Sequence, residues 1–121
     1  MLLPAESVFC VYRIRNTVND KIYIGITCTG LAIRWSYHKT QARKGKSKNQ
    51  LYQDIEVYGA EAFSIEVIED GMSSSEAHER EVYWIDRLCS VAPHGYNMDN
   101  GSMKRAYNKQ KPWIAGEDKR G

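Results

Sequence analysis

The sequence predicts a small α+β domain in which two strands are followed by two helices, a third strand and a third helix. Three observations lead to this prediction. Apolar residues alternate with polar ones in two segments near the N-terminus and in one near the middle, which is typical of strands. Two segments between them have apolar residues at helical spacing, and a capping box opens a further helix. A length of 121 residues fits one core, so we expect one folded domain.

The first two strands are predicted at residues 8–15 and 21–27, and each has one apolar face. The residues between them, from Asn16 to Asn19, are compatible with a turn. A four-residue loop there would pair Tyr12 with Tyr23 across the two strands. We therefore expect the two tyrosines to be direct cross-strand neighbours.

Two helices are predicted after this hairpin. The first runs from Leu31 to Lys44, where Gly45 ends it, and its inward stripe consists of Leu31, Trp35, His38 and Ala42. Arg34 and His38 are four residues apart and so share one side of this helix. The second helix is predicted from about Asn49 to Tyr58, with Gly59 as its stop and with three inward residues, Leu51, Ile55 and Tyr58.

The third strand is predicted at residues 63–69, and the last helix from a capping box at Ser73 and Glu76 to about residue 88 or 89. Glu81 interrupts the inward stripe of that helix, which is otherwise Ala77, Ile85 and Leu88. Because an isolated buried charge is costly, this carboxylate is expected to be paired, protonated or bound to a metal. A structural ion pair with Arg34 or Arg80 is the alternative to a metal site.

Charge and cysteine content narrow the class of protein. The net charge is only +2, but the stretch from Lys21 to Gln53 has seven cations and no acid, as expected of a segment that contacts a polyanion. The three cysteines match neither a disulfide framework nor a zinc motif. No apolar run is long enough to span a membrane and no signal peptide is recognised, so we expect a cytoplasmic protein of a bacterial cell or a phage-infected host cell.

The order of several short motifs resembles the GIY-YIG nuclease superfamily. The hairpin carries Cys10-Val11-Tyr12 and Tyr23-Ile24-Gly25. Later features follow in the same order, namely Arg34-Trp35 with His38, Asn49-Gln50-Leu51-Tyr52, Tyr58-Gly59, Phe63-Ser64-Ile65, Glu79-Arg80-Glu81 with Trp84-Ile85, and Gly95-Tyr96-Asn97. The resemblance covers residues 8–97 and is closest to the catalytic domains of phage homing endonucleases.

This resemblance implies a three-stranded antiparallel sheet flanked by helices, in the order ββααβα, with a site that hydrolyses DNA using one divalent cation. Matching positions assign the metal ligand to Glu81 and the phosphate clamp to Arg34. The site is completed by Tyr12, Tyr23, His38 and Asn97. Mg²⁺, with Mn²⁺ as a substitute, binds through one or two carboxylates and takes its other ligands from water and substrate, so Glu81 alone would suffice.

The general base is open between two residues. The resemblance favours Tyr12, whose phenol has an ordinary pKa near about 10, with His38 as an orienting or relaying group. His38, with an ordinary pKa near about 6.5, is the alternative base. Two departures from the family bear on this point: Cys10 stands where glycine is usual, and the segment from Lys46 to Lys48 lacks a histidine that some homing endonucleases carry.

The DNA-binding residues are predicted in the basic segment and the turn after it, at Lys39, Arg43, Lys44, Lys46, Lys48 and Asn49. The domain division is predicted as a catalytic domain at residues 1–98 and a basic, flexible tail at 99–121. Two other functions are weighed against a homing or weakly specific nuclease, namely a repair or structure-selective nuclease and a DNA-binding module that has kept only the fold. DNA is the expected partner of a monomer or weak dimer, with no membrane partner.

Overall fold

The computed structural model describes residues 8–45 and 48–101, and it confirms the predicted order of elements. In chain order these are β1 (Phe9–Asn16), β2 (Ile22–Thr27), α1 (Leu31–Lys44), α2 (Gln50–Tyr58), β3 (Phe63–Met72) and α3 (Ser74–Arg87), with a single 3-10 turn at Ala60–Ala62. β3 continues three residues past the predicted end at Glu69. Within the described ranges, no helix is long and apolar enough to cross a membrane.

The three strands form an antiparallel sheet, as the resemblance implied, and their order in the sheet is β2-β1-β3. The central strand β1 is buried on both sides, because Val11 points to one face while Tyr12 and Ile14 point to the other. Helices α1 and α2 cover the second of these, here named the α1–α2 face. Helix α3 covers the first, here named the α3 face.

The predicted hairpin register is wrong by two residues. Tyr12 lies opposite Gly25, and Tyr23 lies opposite Ile14. The loop keeps four residues but starts one residue later than predicted, because the Asn16 amide donates to the Lys21 carbonyl at 3.0 Å and Asp20 adopts a left-handed φ of 67° inside the loop. A shift of two residues keeps every side chain on its face, so Tyr12 and Tyr23 still share the α1–α2 face as diagonal neighbours.

The helix ends follow the predicted local signals. Gly45 closes α1 in the left-handed region at φ 67°, and Gly59 follows α2 at φ 88°. The Asn49 side chain caps α2 by accepting from two backbone amides, and Ser73 with Glu76 forms the capping box of α3. The inward position predicted for Tyr58 is wrong: as the last residue of α2 it lies past the core and is 40% exposed.

The predicted tail lies outside the described residues from position 102 onward, and so does Lys46. The last described segment, 88–101, turns back across the sheet. Its isolated bridge joins Val91 to Asn97, and the Tyr96 amide donates to the Ile22 carbonyl at 2.8 Å. This return places residues 96–101 beside β2, which is an edge strand of the sheet.

Candidate active site

Three elements bring four of the predicted site residues together on the α1–α2 face. β1 supplies Tyr12, β2 supplies Tyr23, and α1 supplies Arg34 and His38. The ring centroids of the two tyrosines are 6.2 Å apart, and the His38 ring lies 6.0 Å from Tyr12 and 5.7 Å from Tyr23. Helical spacing explains the contribution of α1, because Arg34 and His38 project from successive turns of one side.

The Tyr12 hydroxyl is the meeting point of this group. Arg34 donates to it from Nε at 3.3 Å, and it lies 2.7 Å from Nε2 of His38. Tyr12 is fully buried while Arg34 is half-buried. The Arg34 side chain thus extends from the buried Tyr12 hydroxyl to the surface of the domain.

His38 sits inside a cage of aromatic rings. Its own ring is within 6.0 Å of four tyrosine rings, which belong to Tyr12, Tyr23, Tyr37 and Tyr52. Two of these tyrosines engage its nitrogens: Tyr12 at Nε2, and Tyr52 at Nδ1 with a distance of 2.9 Å. Burial, helped by the nearby Arg34 charge, lowers the pKa of His38 to about 4. The imidazole is therefore neutral at pH 7.

The two motif tyrosines differ in how they interact with charge. Burial raises the pKa of Tyr12, and the Arg34 guanidinium opposes that rise through its hydrogen bond and its charge. Burial also raises the pKa of Tyr23, and there the neighbouring Tyr12 and Glu81 add to the rise. Tyr12 is thus the phenol of this pair whose ionised form has a hydrogen-bonded cation beside it.

Gly25 lets the two tyrosines share one face. A Cβ at this position would lie 2.6 Å from both Cζ and the hydroxyl oxygen of Tyr12, and 2.9 Å from Cε2 of Tyr23. The Tyr12 ring therefore lies across the backbone of β2, and only glycine leaves room for it. Cys10, which replaces the usual glycine of the first motif, is half-buried opposite Thr27.

Glu81 approaches from α3 at the edge of the sheet. Its position on the inward stripe is confirmed, since Ala77, Glu81 and Ile85 are the buried residues of α3 and Glu81 is 7% exposed. It lines a cavity of about 190 Å³ together with Tyr23, Asn97 and residues that follow Asn97. Arg80 was one of the two ion-pair partners predicted for Glu81 as an alternative to a metal. Its guanidinium donates to both carboxylate oxygens of Glu69, at 2.8 and 2.9 Å.

Asn97 also borders this cavity, but its side chain is occupied by structural bonds. Its Oδ1 accepts from the Ile24 amide at 2.9 Å and from the Ser90 hydroxyl at 2.7 Å, and its Nδ2 donates to the Ile24 carbonyl at 2.9 Å. The side-chain amide of Asn97 thus bonds to the backbone N–H and C=O of Ile24, as the backbone of a neighbouring strand would at this edge of β2. Asn97 therefore holds the cavity wall in place.

The predicted DNA-binding cations divide between two flanks of α1. At 3.6 residues per turn, Lys44 lies about 80° around the helix axis from Arg34, whereas Lys39 lies about 140° and Arg43 about 180° away. Lys39 rests 5.8 Å over the Trp35 ring, and Arg43 donates to the Thr40 hydroxyl at 3.3 Å. Lys44 therefore shares the site flank, and Lys39 and Arg43 belong to the opposite flank.

The other two described members of the predicted set lie in the turn before α2. Lys48 is exposed, and Asn49 is half-buried, caps α2 and borders the cavity beside Glu81. Lys48 is thus adjacent in the chain to a residue that lines the cavity. Both positions remain compatible with a DNA contact, although the Asn49 oxygen is already used by the Leu51 and Tyr52 amides.

Sequence reasoning gave no role to two polar contributors. Tyr52 was recognised only as part of a motif, yet its hydroxyl contacts His38. Asp54 is buried in the apolar stripe of α2, where it accepts from the Tyr96 hydroxyl at 2.7 Å. Its spacing from Leu51 and Ile55 is the same kind of signal that identified Glu81, so Asp54 was detectable. Tyr52 was not, because its partner is 14 residues away.

Comparison with known proteins places this geometry in a family. The model of the GIY-YIG catalytic domain matches residues 8–97. Intron-associated endonuclease 1 of Enterobacteria phage T4 is 31% identical over 95 residues, which are 77% of this chain and 38% of that protein. The chain thus spans less than two fifths of the length of this curated relative.

Two solved structures share the fold. One is the catalytic domain of intron endonuclease I-TevI in a mutant form, with a TM-score of 0.66 and 28% identity over 77% of this chain and 95% of that one. The other is the catalytic domain of homing endonuclease I-TevI, with a TM-score of 0.65 and 28% identity over 75% and 98% of the two chains. The chain therefore belongs to the GIY-YIG endonuclease superfamily, with its catalytic domain at residues 8–97.

Proposed function

We propose that this chain hydrolyses phosphodiester bonds of DNA with one divalent cation, as a homing or mobility nuclease or a phage or bacterial nuclease of low sequence specificity. The observation that supports this most directly is the convergence of a buried carboxylate, Glu81, and Tyr23 on one cavity, with the Tyr12–Arg34 pair beside them. A carboxylate and a guanidinium at one site suit a reaction between a metal-bound phosphate and water.

The cavity fits a hard cation. Glu81 offers carboxylate oxygen, the ligand type that Mg²⁺ and Mn²⁺ prefer, in a space large enough for several waters. The described part of the chain holds no cluster of three or more His, Cys, Asp and Glu side chains arranged as a metal site. Glu81 would therefore hold the ion as its protein ligand while DNA and water complete the shell. Such an ion would stabilise charge on the phosphate and lower the pKa of a bound water.

Arg34 is proposed as the phosphate clamp. Its guanidinium stays charged at all relevant pH values and matches two phosphate oxygens at once. Since Arg34 donates to the Tyr12 hydroxyl, a phosphate bound by Arg34 would lie next to that hydroxyl.

Tyr12 is proposed as the general base in preference to His38, because it lies beside Arg34 while both nitrogens of His38 are occupied by tyrosine hydroxyls. The pH dependence separates the two. A Tyr12 base has its pKa raised, chiefly by burial, so kcat/KM would rise about tenfold per pH unit through the neutral range. A His38 base with a pKa of about 4 is already neutral, so the rate would be flat above about pH 5.

DNA is proposed to follow the flank of α1 that carries Arg34, Gln41 and Lys44. Lys44 continues the same flank toward the C-terminal end of the helix. Lys39 and Arg43 would then contribute only long-range attraction.

The test is conversion of supercoiled plasmid to nicked and linear forms with Mg²⁺ by the wild type, Glu81→Gln and Glu79→Gln. Glu79 is an exposed glutamate of the same helix and serves as the matched control. We expect cleavage by the wild type and Glu79→Gln, and its loss in Glu81→Gln and in EDTA. Nicked circles should appear before linear DNA, because one site cuts one strand.

Two outcomes would contradict this proposal. Binding of DNA without cleavage, across Mg²⁺, Mn²⁺ and several DNA forms, would make the chain a DNA-binding module instead. Equal cleavage by Glu81→Gln and the wild type would leave the nuclease activity in place but remove the metal ligand assigned here.

A further inference from the structure

The neighbours of the buried Tyr12 hydroxyl limit the routes by which its proton can leave. Tyr12 has no exposed surface, and its hydroxyl is flanked by Arg34 and His38. Arg34 carries no lone pair that accepts a proton, because its guanidinium remains protonated. His38 is therefore the neighbour of this hydroxyl through which its proton can leave.

His38 leads away from the sheet to α2. Its second nitrogen, Nδ1, lies 2.9 Å from the Tyr52 hydroxyl. Tyr52 is half-buried and lines a separate cavity of about 250 Å³, which it shares with Glu56 among others. This second cavity contains none of the residues that line the Glu81 cavity. Three groups at hydrogen-bond distance thus connect a buried phenol to open space on another side of the domain.

We infer that Tyr52 is a positioning residue and the outlet of a proton relay that runs from Tyr12 through His38 to solvent beside α2. The inference rests on the proposed role of Tyr12 as general base. In the resting relay the Tyr12 O–H donates to Nε2 of His38, and the Nδ1–H of His38 donates to the Tyr52 oxygen. This arrangement leaves the Tyr12 oxygen free to accept from Arg34.

The relay transfers one proton in balanced steps. The Tyr12 O–H bond breaks as an N–H bond forms at Nε2 of His38. The Nδ1–H bond breaks as an O–H bond forms on Tyr52, and Tyr52 releases its original proton to water in the cavity beside Glu56. The products are a Tyr12 phenolate, a neutral His38 in its other tautomer, a neutral Tyr52 and one proton in solvent.

The product arrangement is suited to the base. The phenolate accepts two hydrogen bonds, from Nε of Arg34 and from the new N–H at Nε2 of His38. The phenolate can then take a proton from the attacking water. His38 thus passes protons without ever holding a net charge, which agrees with its burial among four tyrosine rings.

The other tyrosine beside His38 on the outer side offers a matched control. Tyr37 contacts the His38 ring edge-on with centroids 5.8 Å apart, and the nitrogens of His38 are bonded to Tyr12 and Tyr52 instead. Tyr52→Phe and Tyr37→Phe each remove one phenolic oxygen next to the same imidazole. Only the first removes a member of the relay.

Two measurements test the inference. The first is the tautomer of His38 from its side-chain ¹⁵N shifts at pH 7, without DNA or metal. We expect the Nδ1–H form in the wild type and in Tyr37→Phe, and a shift toward the Nε2–H form in Tyr52→Phe. An Nε2–H form already dominant in the wild type, or no change in Tyr52→Phe, would overturn the relay. This measurement does not depend on nuclease activity, so its failure is distinguishable from failure of the proposed function.

The second is single-turnover plasmid cleavage with Mg²⁺. Tyr52→Phe is expected to lower the cleavage rate about tenfold or more at unchanged KM, a modest part of the range for general base catalysis. A proton inventory in mixed H₂O and D₂O should be curved for the wild type and Tyr37→Phe and linear for Tyr52→Phe. Equal rates and equal inventories in all three proteins would contradict the inference.

Discussion

The two faces of the sheet are built on the same three strands, yet they differ in chemistry. The hydrophobic cluster of the α3 face has Val11, Ile24 and Ile85 as its buried residues, all of them aliphatic, while the buried Glu81 of α3 lines the cavity. The α1–α2 face buries His38, Asp54 and Asn16 along with tyrosines, and their polar atoms form two sets of hydrogen bonds, one through His38 and one through Tyr96. One face therefore supplies plain hydrophobic stabilisation, and the other combines packing with proton-bearing groups.

The difference teaches how a domain this small can accommodate a reactive site. Polar groups in a core are costly unless every one is satisfied, and the α1–α2 face satisfies them with each other. The aliphatic face has no such constraint. We expect changes on the α1–α2 face to alter activity and pH dependence, and changes in the aliphatic cluster of the α3 face to alter stability alone.

The largest expected effect concerns acid. His38 has a folded pKa of about 4 against about 6.5 when unfolded, so the unfolded chain binds more protons between these values. Its contribution to stability is fully present above about pH 6.5 and is lost as pH falls toward 4, by at most about 3 kcal/mol. Urea unfolding at pH 7 and pH 4 should show a smaller acid loss for His38→Gln than for the wild type. Equal losses would mean that the imidazole is not held neutral.

The next effect is on cleavage. Gly25→Ala should lower the rate about 100-fold, because its Cβ would overlap the Tyr12 ring and displace a reacting group by a fraction of an ångström to one ångström. Gly30→Ala is the control, since no atom lies within 4 Å of the Cβ it would add. Plasmid cleavage by the two variants should differ by that factor. A fully active Gly25→Ala would show that the position of Tyr12 is not critical.

A smaller effect is expected on the α3 face. Ile24→Val should cost about 1 kcal/mol of stability and lower Tm by about 4 °C, with cleavage at 25 °C unchanged. Thermal unfolding followed by circular dichroism, paired with plasmid cleavage, measures both. If the cleavage rate falls along with Tm, then packing on the α3 face also affects the geometry of the active site.

The smallest effect separates the two flanks of α1. Lys44→Ala should weaken DNA binding about threefold and reduce the slope of log affinity against log salt by nearly one, because it removes one phosphate contact. Arg43→Ala is its neighbour on the opposite flank and should leave both quantities close to the wild type. Fluorescence anisotropy with a duplex over a range of salt gives both. The reverse ranking would place DNA on the other side of the helix.

Local signals allowed much of the fold to be predicted. Asn49 and Gly59 act locally and lie at the two ends of α2. The capping box that begins α3 could likewise be recognised in the sequence. The hairpin register could not, because its loop depends on Asp20 in a left-handed conformation, which the residue type permits but does not require. The position of the loop thus depended on geometry that the residue types leave open.

The order of motifs pointed to Tyr12, Tyr23, Arg34 and Glu81. The fold brings Tyr12, Tyr23 and Arg34 together and places Glu81 on a cavity that Tyr23 also lines, while the roles of these residues stay predictions. The bonds between them depend on packing of α1 and α2 over the strands, which periodicity does not reveal. For the same reason the structural use of Asn97 by Ile24 and Ser90 emerged only from the fold.

The bonds made by Asn97 and Tyr96 have a consequence for synthesis on the ribosome. Asn97 contacts a strand 73 residues earlier in the chain, and the Tyr96 hydroxyl accepts from Asn16 across 80 residues. A nascent chain that ends before these residues lacks the Asn97 hydrogen bonds to β2, and Tyr96 is absent from its core. The cavity lined by Glu81 can therefore form only after residue 97 has emerged from the exit tunnel. Assembly of the site is thus a late event in cotranslational folding of the domain.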